Sequence, residues 1–384
     1  MSFSVANIKK FVIDLFDELL FGPGFKKLIH VLKSPIGIIG TLFVIVSLIL
    51  PFLNNTASLT DTLWWVFFYI AIAESWNIIG GYGGEVDFGH VLYVAFGIYV
   101  VGITFENFFF LGFLLGDSFR FFGLPFGVYL WMVIEVILAG LVSAVVAILI
   151  GIPTLRLRGA YFAVTLLAFN EVLKVILNYP NDITHGGEGV NIGYILQQVP
   201  ELTILVYFGI IGVSIASFLL THYISYTRLG LNLRAIRDNQ EGASAMGISV
   251  LRTKVIAYAM SGFIAGMAGA IYMLRLFNFT PVEAFDTNKT VEMIIITLLG
   301  GPGSVFGPIL GAIIIVPIKF QLPILIGQTQ FNLFGLIIRF DVIYLVIYGI
   351  IFILAVLFLP KGIIGYLQDK GFIKRETLID TTEE

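Results

Sequence analysis

Apolar residues in this chain come in long blocks, and a helix needs about 20 such residues to cross a bilayer core of ~30 Å. Clear blocks occupy residues 36–53, 63–80, 91–103, 126–151, 160–179, 203–221, 255–274 and 343–359. Inside lipid each backbone N–H and C=O must find its partner within the segment, so these blocks predict membrane-spanning helices and an all-α polytopic fold. Of the 384 residues 58% are hydrophobic and 12% charged, and none of the polar joints is long enough to form a soluble domain of its own. Whatever the chain does, it does in the bilayer. With no cysteine, disulfides, thiolate metal sites and cysteine nucleophiles are excluded, and the net charge of -3 points to no particular partner.

The N-terminus does not read as a signal peptide. Lys9, Lys10, Asp14, Asp17 and Glu18 interrupt its first apolar stretch, and no small-residue cleavage site follows. Phe3, Ile8, Phe11, Val12, Leu15, Phe16, Leu19 and Leu20 recur at helical spacing opposite those charges. Residues 1–35 are therefore expected to form an amphipathic helix, lying on the membrane or packed on the protein body.

Basic residues set the expected orientation. Lys26, Lys27 and Lys33 precede the first block; Arg156 and Arg158 lie between the fourth and fifth; Arg228, Arg234, Arg237, Arg252 and Lys254 lie between the sixth and seventh. All are expected in the cytoplasm, whereas the joints 54–62 and 180–202 hold no Lys or Arg and are expected outside. Residues 290–325 are too long for one span and are cut by "GGPGSVFGP" at 300–308. Two crossings there leave Lys361, Lys370, Lys374 and Arg375 on the cytoplasmic side, which gives roughly ten spans or partial spans with both termini cytoplasmic.

A second glycine break resembles this one. "IIGGYGGEVDFGHVLYVAFGIYV" (78–100) and "LLGGPGSVFGPILGAIIIV" (298–316) each carry a Gly-Gly pair, a Phe-Gly and an apolar run. Paired breaks of this kind point to a transport pathway, or to tight helical hairpins whose glycines allow close packing. Asn77, Gly80, Gly83 and Gly301 are the candidate pathway residues.

One cytoplasmic segment stands out. "RDNQEGASAMGIS" (237–249) predicts a short helix over 239–246, with Asp238 as N-cap, Glu241 as its N3 partner and Gly247 at the C′ position. Gly242, Ala243, Ser244 and Ala245 have almost no side-chain volume, so another surface can approach the backbone closely.

Glu241-Gly242-Ala243 followed by Gly247 resembles the E-A-A-x-x-x-G loop of ABC importer permeases, with Gly in place of the first Ala. The wider stretch 228–272 is similar to the corresponding region of the branched-chain amino-acid ABC transporter permeases. So are "RLRGAYFAVTLLAFNEVLKVILN" (156–178), "GGYGGEVDFGH" (80–90), "LLGGPGSVFGP" (298–308) and "PKGIIG" (360–365). Arg-Leu-Arg-Gly before Tyr161 resembles the M-type rather than the H-type subunit, while "THGGEGV" (184–190) departs from the usual Gly-Gly-Pro-like sequence. The resemblance implies a heteromeric importer of a bacterial or archaeal cell membrane: an H-type permease beside this chain, two cytoplasmic ATPases and an extracytoplasmic solute-binding protein. Its coupling residues would be Arg234, Arg237, Asp238, Glu241, Gly242, Ala243, Ala245, Met246 and Gly247. No G-x-x-x-x-G-K-[ST] loop occurs, so ATP and Mg are expected on the partner ATPase and no cofactor on this chain. No nucleic-acid partner is expected.

On this reading the permease domain is 36–365, with its coupling loop at 223–254, and 366–384 is a cytoplasmic tail. Glu74, Glu135, Glu171 and Lys174 fall inside spans, where ionisable groups are functional candidates. Glu171 and Lys174 are placed to pair along one helix; Glu135 is expected to face another subunit or a polar contact. Asp87 and His90 either line the cytoplasmic mouth or are solvated turn residues. Branched-chain amino acids are the expected solute; other amino acids, urea or short amides remain open, as does an ATP-independent secondary transporter using the intramembrane charges. An intramembrane enzyme is disfavoured: no His-Glu-x-x-His occurs and no nucleophile and base converge.

Overall fold

The computed structural model describes residues 35–53, 57–108, 120–121, 124–179, 184–193, 202–326, 330–333, 336–339, 349–350, 353 and 361–370. The predicted N-terminal amphipathic helix, the span at 343–359 apart from isolated residues, and the tail beyond 370 lie outside them.

The described chain is almost entirely helical. In order come α1 (Pro35–Ile49), α2 (Ala57–Asn77), α3 (Val91–Phe108), α4 (Phe126–Thr154), α5 (Ala160–Asn178), α6 (Leu202–Tyr226), α7 (Arg228–Asp238) and α8 (Gln240–Ala245). They are followed by α9 (Val250–Leu276), α10 (Pro281–Ala284), α11 (Thr287–Gly300), α12 (Gly307–Ile326) and α13 (Gly362–Asp369). Extended pairing is confined to short ladders such as Val190–Asn191 against Asn278–Phe279. Among the described residues α2 to α6 and α9 are long and apolar enough to cross a membrane, which makes this a multi-pass membrane protein.

Most helices overrun their apolar blocks. α2 begins at Ala57, six residues before the predicted start at 63, and α3 runs on to Phe108 rather than ending at 103. Hydroxyls within the overruns are satisfied by the helix itself: Thr62 Oγ1 donates to the Ser58 carbonyl at 2.9 Å, and Thr104 Oγ1 to that of Val100 at 2.7 Å. Such bonds leave neither hydroxyl unpaired, at the cost of slightly weakening the helix. The ambiguous stretch 290–325 resolves into α11 and α12, which meet at the second glycine break.

α9 sits at the centre, packed against α2, α3, α4 and α6. It does so through small residues, because lipid offers no hydrophobic drive between helices and close backbone contact must supply the attraction. Gly266 lies against Ser143 and Ala139 of α4, and the backbone of Gly97 on α3 is so close to Gly266 that a Cβ there would overlap its carbonyl. Gly97→Leu should therefore force α3 from α9 and cost at least about 1–3 kcal/mol. A loss of monodisperse protein in detergent, read by size-exclusion chromatography, is the expected result; an unchanged profile would mean that the contact is not tight.

The helices divide by burial. α2 and α9 are mostly buried, whereas α4 and especially α5 leave large apolar side chains outside, among them Leu141, Leu149, Val164 and Val175.

Candidate functional site

The two glycine breaks, more than 200 residues apart in sequence, pack on each other. α2 does not stop at Asn77 but unwinds through a π-helical turn, Ile78–Tyr82. A turn of this type widens the helix and is a common functional irregularity. The buried Asn77 side chain reaches across to the other break: its Oδ1 accepts from the Gly303 N–H at 2.8 Å and its Nδ2 donates to the Ser304 carbonyl at 2.9 Å. The absence of a side chain at Gly81 permits this contact, since a Cβ there would overlap Gly303 N. The far side of the second break is closed by α13, with Gly362 against Gly301. Of the expected pathway residues, Asn77 is buried in the seam between the breaks, and Gly301 is buried on its far side against α13. Gly80 lies over the Trp76 ring, and Gly83 against the Ile79 carbonyl.

The short helix is joined to this seam. Arg237, at the end of α7, donates from Nη1 to the Gly81 carbonyl at 2.8 Å, and its stem packs on Gly84. Arg234 lies over the Tyr82 ring, 5.1 Å from its centroid. Both arginines, among the expected coupling residues, reach the chain's own first break, and Arg237 remains 39% exposed. Lys254 of α9 pairs with Glu85 just after that break and also donates to Gln240 Oε1 at 2.9 Å. Lys254 is 3% exposed and Glu85 14%, so the pair is shielded from water.

α8 itself has clear ends. Its N-cap is Asn239, whose Oδ1 accepts from Gly242 N at 2.9 Å; the sequence reading placed the cap one residue early, at Asp238. Asn239 prevails because α7 continues through Asp238, leaving Asn239 as the extended residue between the two helices. At the other end Gly247 N bonds to Ser244 O and Ile248 N to Ala243 O, the paired bonds of a Schellman motif. Gly247 takes φ 88°, open to glycine and strained for other residues. Ala243 is buried, while Glu241, Gly242, Ser244, Ala245, Met246 and Gly247 are exposed, Met246 at 84%. Asp238 is exposed as well, and Glu241 meets Arg158 in an open pair at 3.2 Å that contributes little in water.

Asp87 and His90 are neither solvated nor at a mouth. His90 Nδ1 is 3.0 Å from Asp87 Oδ2, its Nε2 is 2.7 Å from Ser75 Oγ, and Ser75 Oγ donates to the Ser261 carbonyl at 2.8 Å. The order Asp, His, Ser is that of a hydrolase relay, but all these side chains are fully buried and a substrate has no approach to Ser75. The relay instead joins α2, the start of α3 and α9.

The intramembrane charges separate by setting. Glu74 is buried, with Thr221 and Asn77 facing its carboxyl. Glu135 is also buried within this chain and faces Thr104 and Trp131, the polar contact that was one of its two expected settings. Glu171 and Lys174 pair on α5 and are partly exposed; Thr287 donates to Glu171 Oε1 at 3.1 Å. Sequence reading missed Ser75, Glu85 and Gln240, and a further cluster in which Lys319 bonds Glu292 at 2.5 Å while Tyr69 donates to the same carboxylate. A signal for one of them existed: an acidic residue inside a glycine-rich break needs a cation, and Lys254 stands at the start of an apolar helix.

Apolar helices interrupted by paired glycine breaks, the first of them tied by a shielded ion pair and an arginine to an exposed connecting helix, are features of membrane transport proteins. Residues 58–358 match the family described as branched-chain amino acid transport system, permease component, and the chain belongs to that family. It is 26% identical over 298 residues to the high-affinity branched-chain amino acid transport system permease protein LivM of Salmonella typhimurium, covering 69% of this chain and 64% of that one. The chain thus spans slightly under two thirds of that relative's length. To the probable branched-chain amino acid transport permease protein LivM of Methanocaldococcus jannaschii it is 27% identical over 322 residues, 79% of this chain and 91% of the relative. A more distant likeness is the ribose import permease protein RbsC of Bacillus subtilis, 27% identical over 219 residues, 54% of this chain and 62% of the relative. No solved structure matches.

Proposed function

We propose that the chain is the M-type permease subunit of an ATP-driven importer of leucine, isoleucine and valine in a bacterial or archaeal cell membrane. It works with an H-type permease, two cytoplasmic ATPases and an extracytoplasmic binding protein. Residues 36–365 form the permease in roughly ten spans with both termini cytoplasmic. Residues 1–35 lie at the interface and 366–384 form a tail. The observation that carries the reading is the exposed helix α8, tied through Gln240 and Lys254 to Glu85 and flanked by Arg237 on Gly81. The ATPase grips Asp238, Glu241 and the small-residue face of α8; Arg234 and Arg237 carry its movement to the glycine breaks. Closure of the ATPase dimer then shifts the seam between the breaks and exchanges outward for inward access. The names of the LivM relatives favour branched-chain amino acids, and the ribose permease marks how far the family ranges in solute.

Purification of the complex from its native membrane tests this. ATP hydrolysis stimulated by a leucine-loaded binding protein is the expected result, and an ATPase-free homo-oligomer would refute the importer. Gly247→Pro, which removes the N–H bonded to Ser244 and cannot adopt φ 88°, and Glu241→Arg should each abolish co-purification of the ATPase. Intact assembly and uptake in both variants would remove α8 from the coupling role.

A further inference from the structure

α5 is an unusual helix for its position. It is apolar enough to span, yet little of it is covered by this chain. Near its start lies a cavity of about 520 Å³, walled on one side by Gly84, Glu85 and Phe88 after the first glycine break and on the other by Ala160, Val164 and Leu167. Ligand pockets typically have volumes of about 300–1,000 Å³.

The cavity wall and the ion pair share one face of α5. Residues 160, 164, 167, 171 and 174 recur at i, i+4, i+7, i+11 and i+14. At 3.6 residues per turn they fall in a band about 80° wide, with Glu171 ~16 Å and Lys174 ~21 Å along the axis from Ala160. The band runs from the cavity past the middle of α5 toward its far end, where Glu171 is 44% exposed and Lys174 24%. Charged groups within a membrane span are disfavoured against lipid and are found facing water or protein. The outward face of α4, with Val133, Ile137 and Leu141, carries no such pair; it has the composition of a lipid-facing surface.

The chemistry of the pair selects one class of solute. A lone carboxylate in a pathway would trap cations. A closed Glu–Lys pair has no net charge, and a zwitterion can join it by exchanging one ion pair for two. An ion of single charge would leave one partner uncompensated, which is costly out of water. Joining is weak because the empty pair is already satisfied by Lys174 and by the Thr287 hydroxyl, and weak binding is what passage requires.

Resting on the amino-acid importer reading, we propose that this stripe of α5 is one wall of the solute pathway. Glu171 receives the ammonium of an α-amino acid and Lys174 its carboxylate.

The absence of native cysteine makes the test clean. In the assembled complex, single variants Val164→Cys and Leu167→Cys are treated with a membrane-impermeant thiol reagent, beside Ile137→Cys and Leu141→Cys on α4. The stripe variants should react and be protected by leucine, and the α4 variants should not react. Failure of the stripe to react overturns the wall, whether or not the complex transports leucine.

The second arm exchanges the charges, Glu171→Lys with Lys174→Glu. A purely structural pair survives the exchange with full uptake. A waypoint does not: the complex should be recovered in normal amount while leucine uptake falls about tenfold or more. Wild-type uptake by the exchanged variant overturns the waypoint. Lack of ATP-dependent uptake by the unaltered complex would instead refute the importer reading, leaving the thiol result to decide the wall.

Discussion

Lys254→Met should be among the most damaging single substitutions in the chain. It leaves the Glu85 carboxylate, 14% exposed, without its cation, and takes from Gln240 the ammonium that its side-chain oxygen accepts from. Breaking a shielded pair by removing one partner costs about 3–5 kcal/mol, because the remaining charge keeps its desolvation cost and loses its compensation. The thermal midpoint of the detergent-solubilised protein should fall by several degrees. Glu85→Gln combined with Lys254→Met should recover much of the loss, since neither charge then remains. A single variant that melts with the unaltered protein would show that this pair does not hold α8 and α9 to the first break.

Asn77→Leu acts on the other side of the same break. The Gly303 N–H and the Ser304 carbonyl would lose their partners in the seam, each at about 1–3 kcal/mol, and a branched apolar side chain would crowd Gly81. Amide hydrogen exchange at residues 301–306 should quicken strongly, and leucine uptake should fall with it. Asn77→Asp keeps an acceptor for Gly303 N–H but no donor for Ser304, so its exchange should be intermediate. Equal protection in all three proteins would mean that the breaks are held together by backbone packing alone.

These two residues show where sequence reading succeeds and where it stops. Periodicity and apolar length place α2 to α6 and α9, and the glycine runs locate both breaks, because each is a local property of the chain. The short helix was legible for the same reason: Gly247 and the small residues before it are local signals. The cap was misplaced by one residue because α7 and α8 are distinct helices separated by Asn239, and nothing in the composition of 228–246 marks a one-residue joint. Long-range partners were not legible. Asn77 meets Gly303 across more than 200 positions, and Arg237 meets Gly81 across 156. The resemblance implied a coupling role for Arg237 but gave no sign that it also bonds the Gly81 carbonyl. For Glu135 the sequence left another subunit or a polar contact open, and Thr104 and Trp131 provide the polar contact.

The extended residue between α7 and α8 has a mechanical consequence. α7 is clamped to the first break by Arg234 and Arg237, while α8, six residues long, is bounded by the single-residue joint Asn239 and the Gly247 turn. Between those two turns α8 is held to the rest of the chain from the side, by Gln240 on Lys254 of α9, as well as end-on through Asn239. A force applied to α8 therefore divides between two routes, one into α9 and one into α7, and both lead to the residues around the first break.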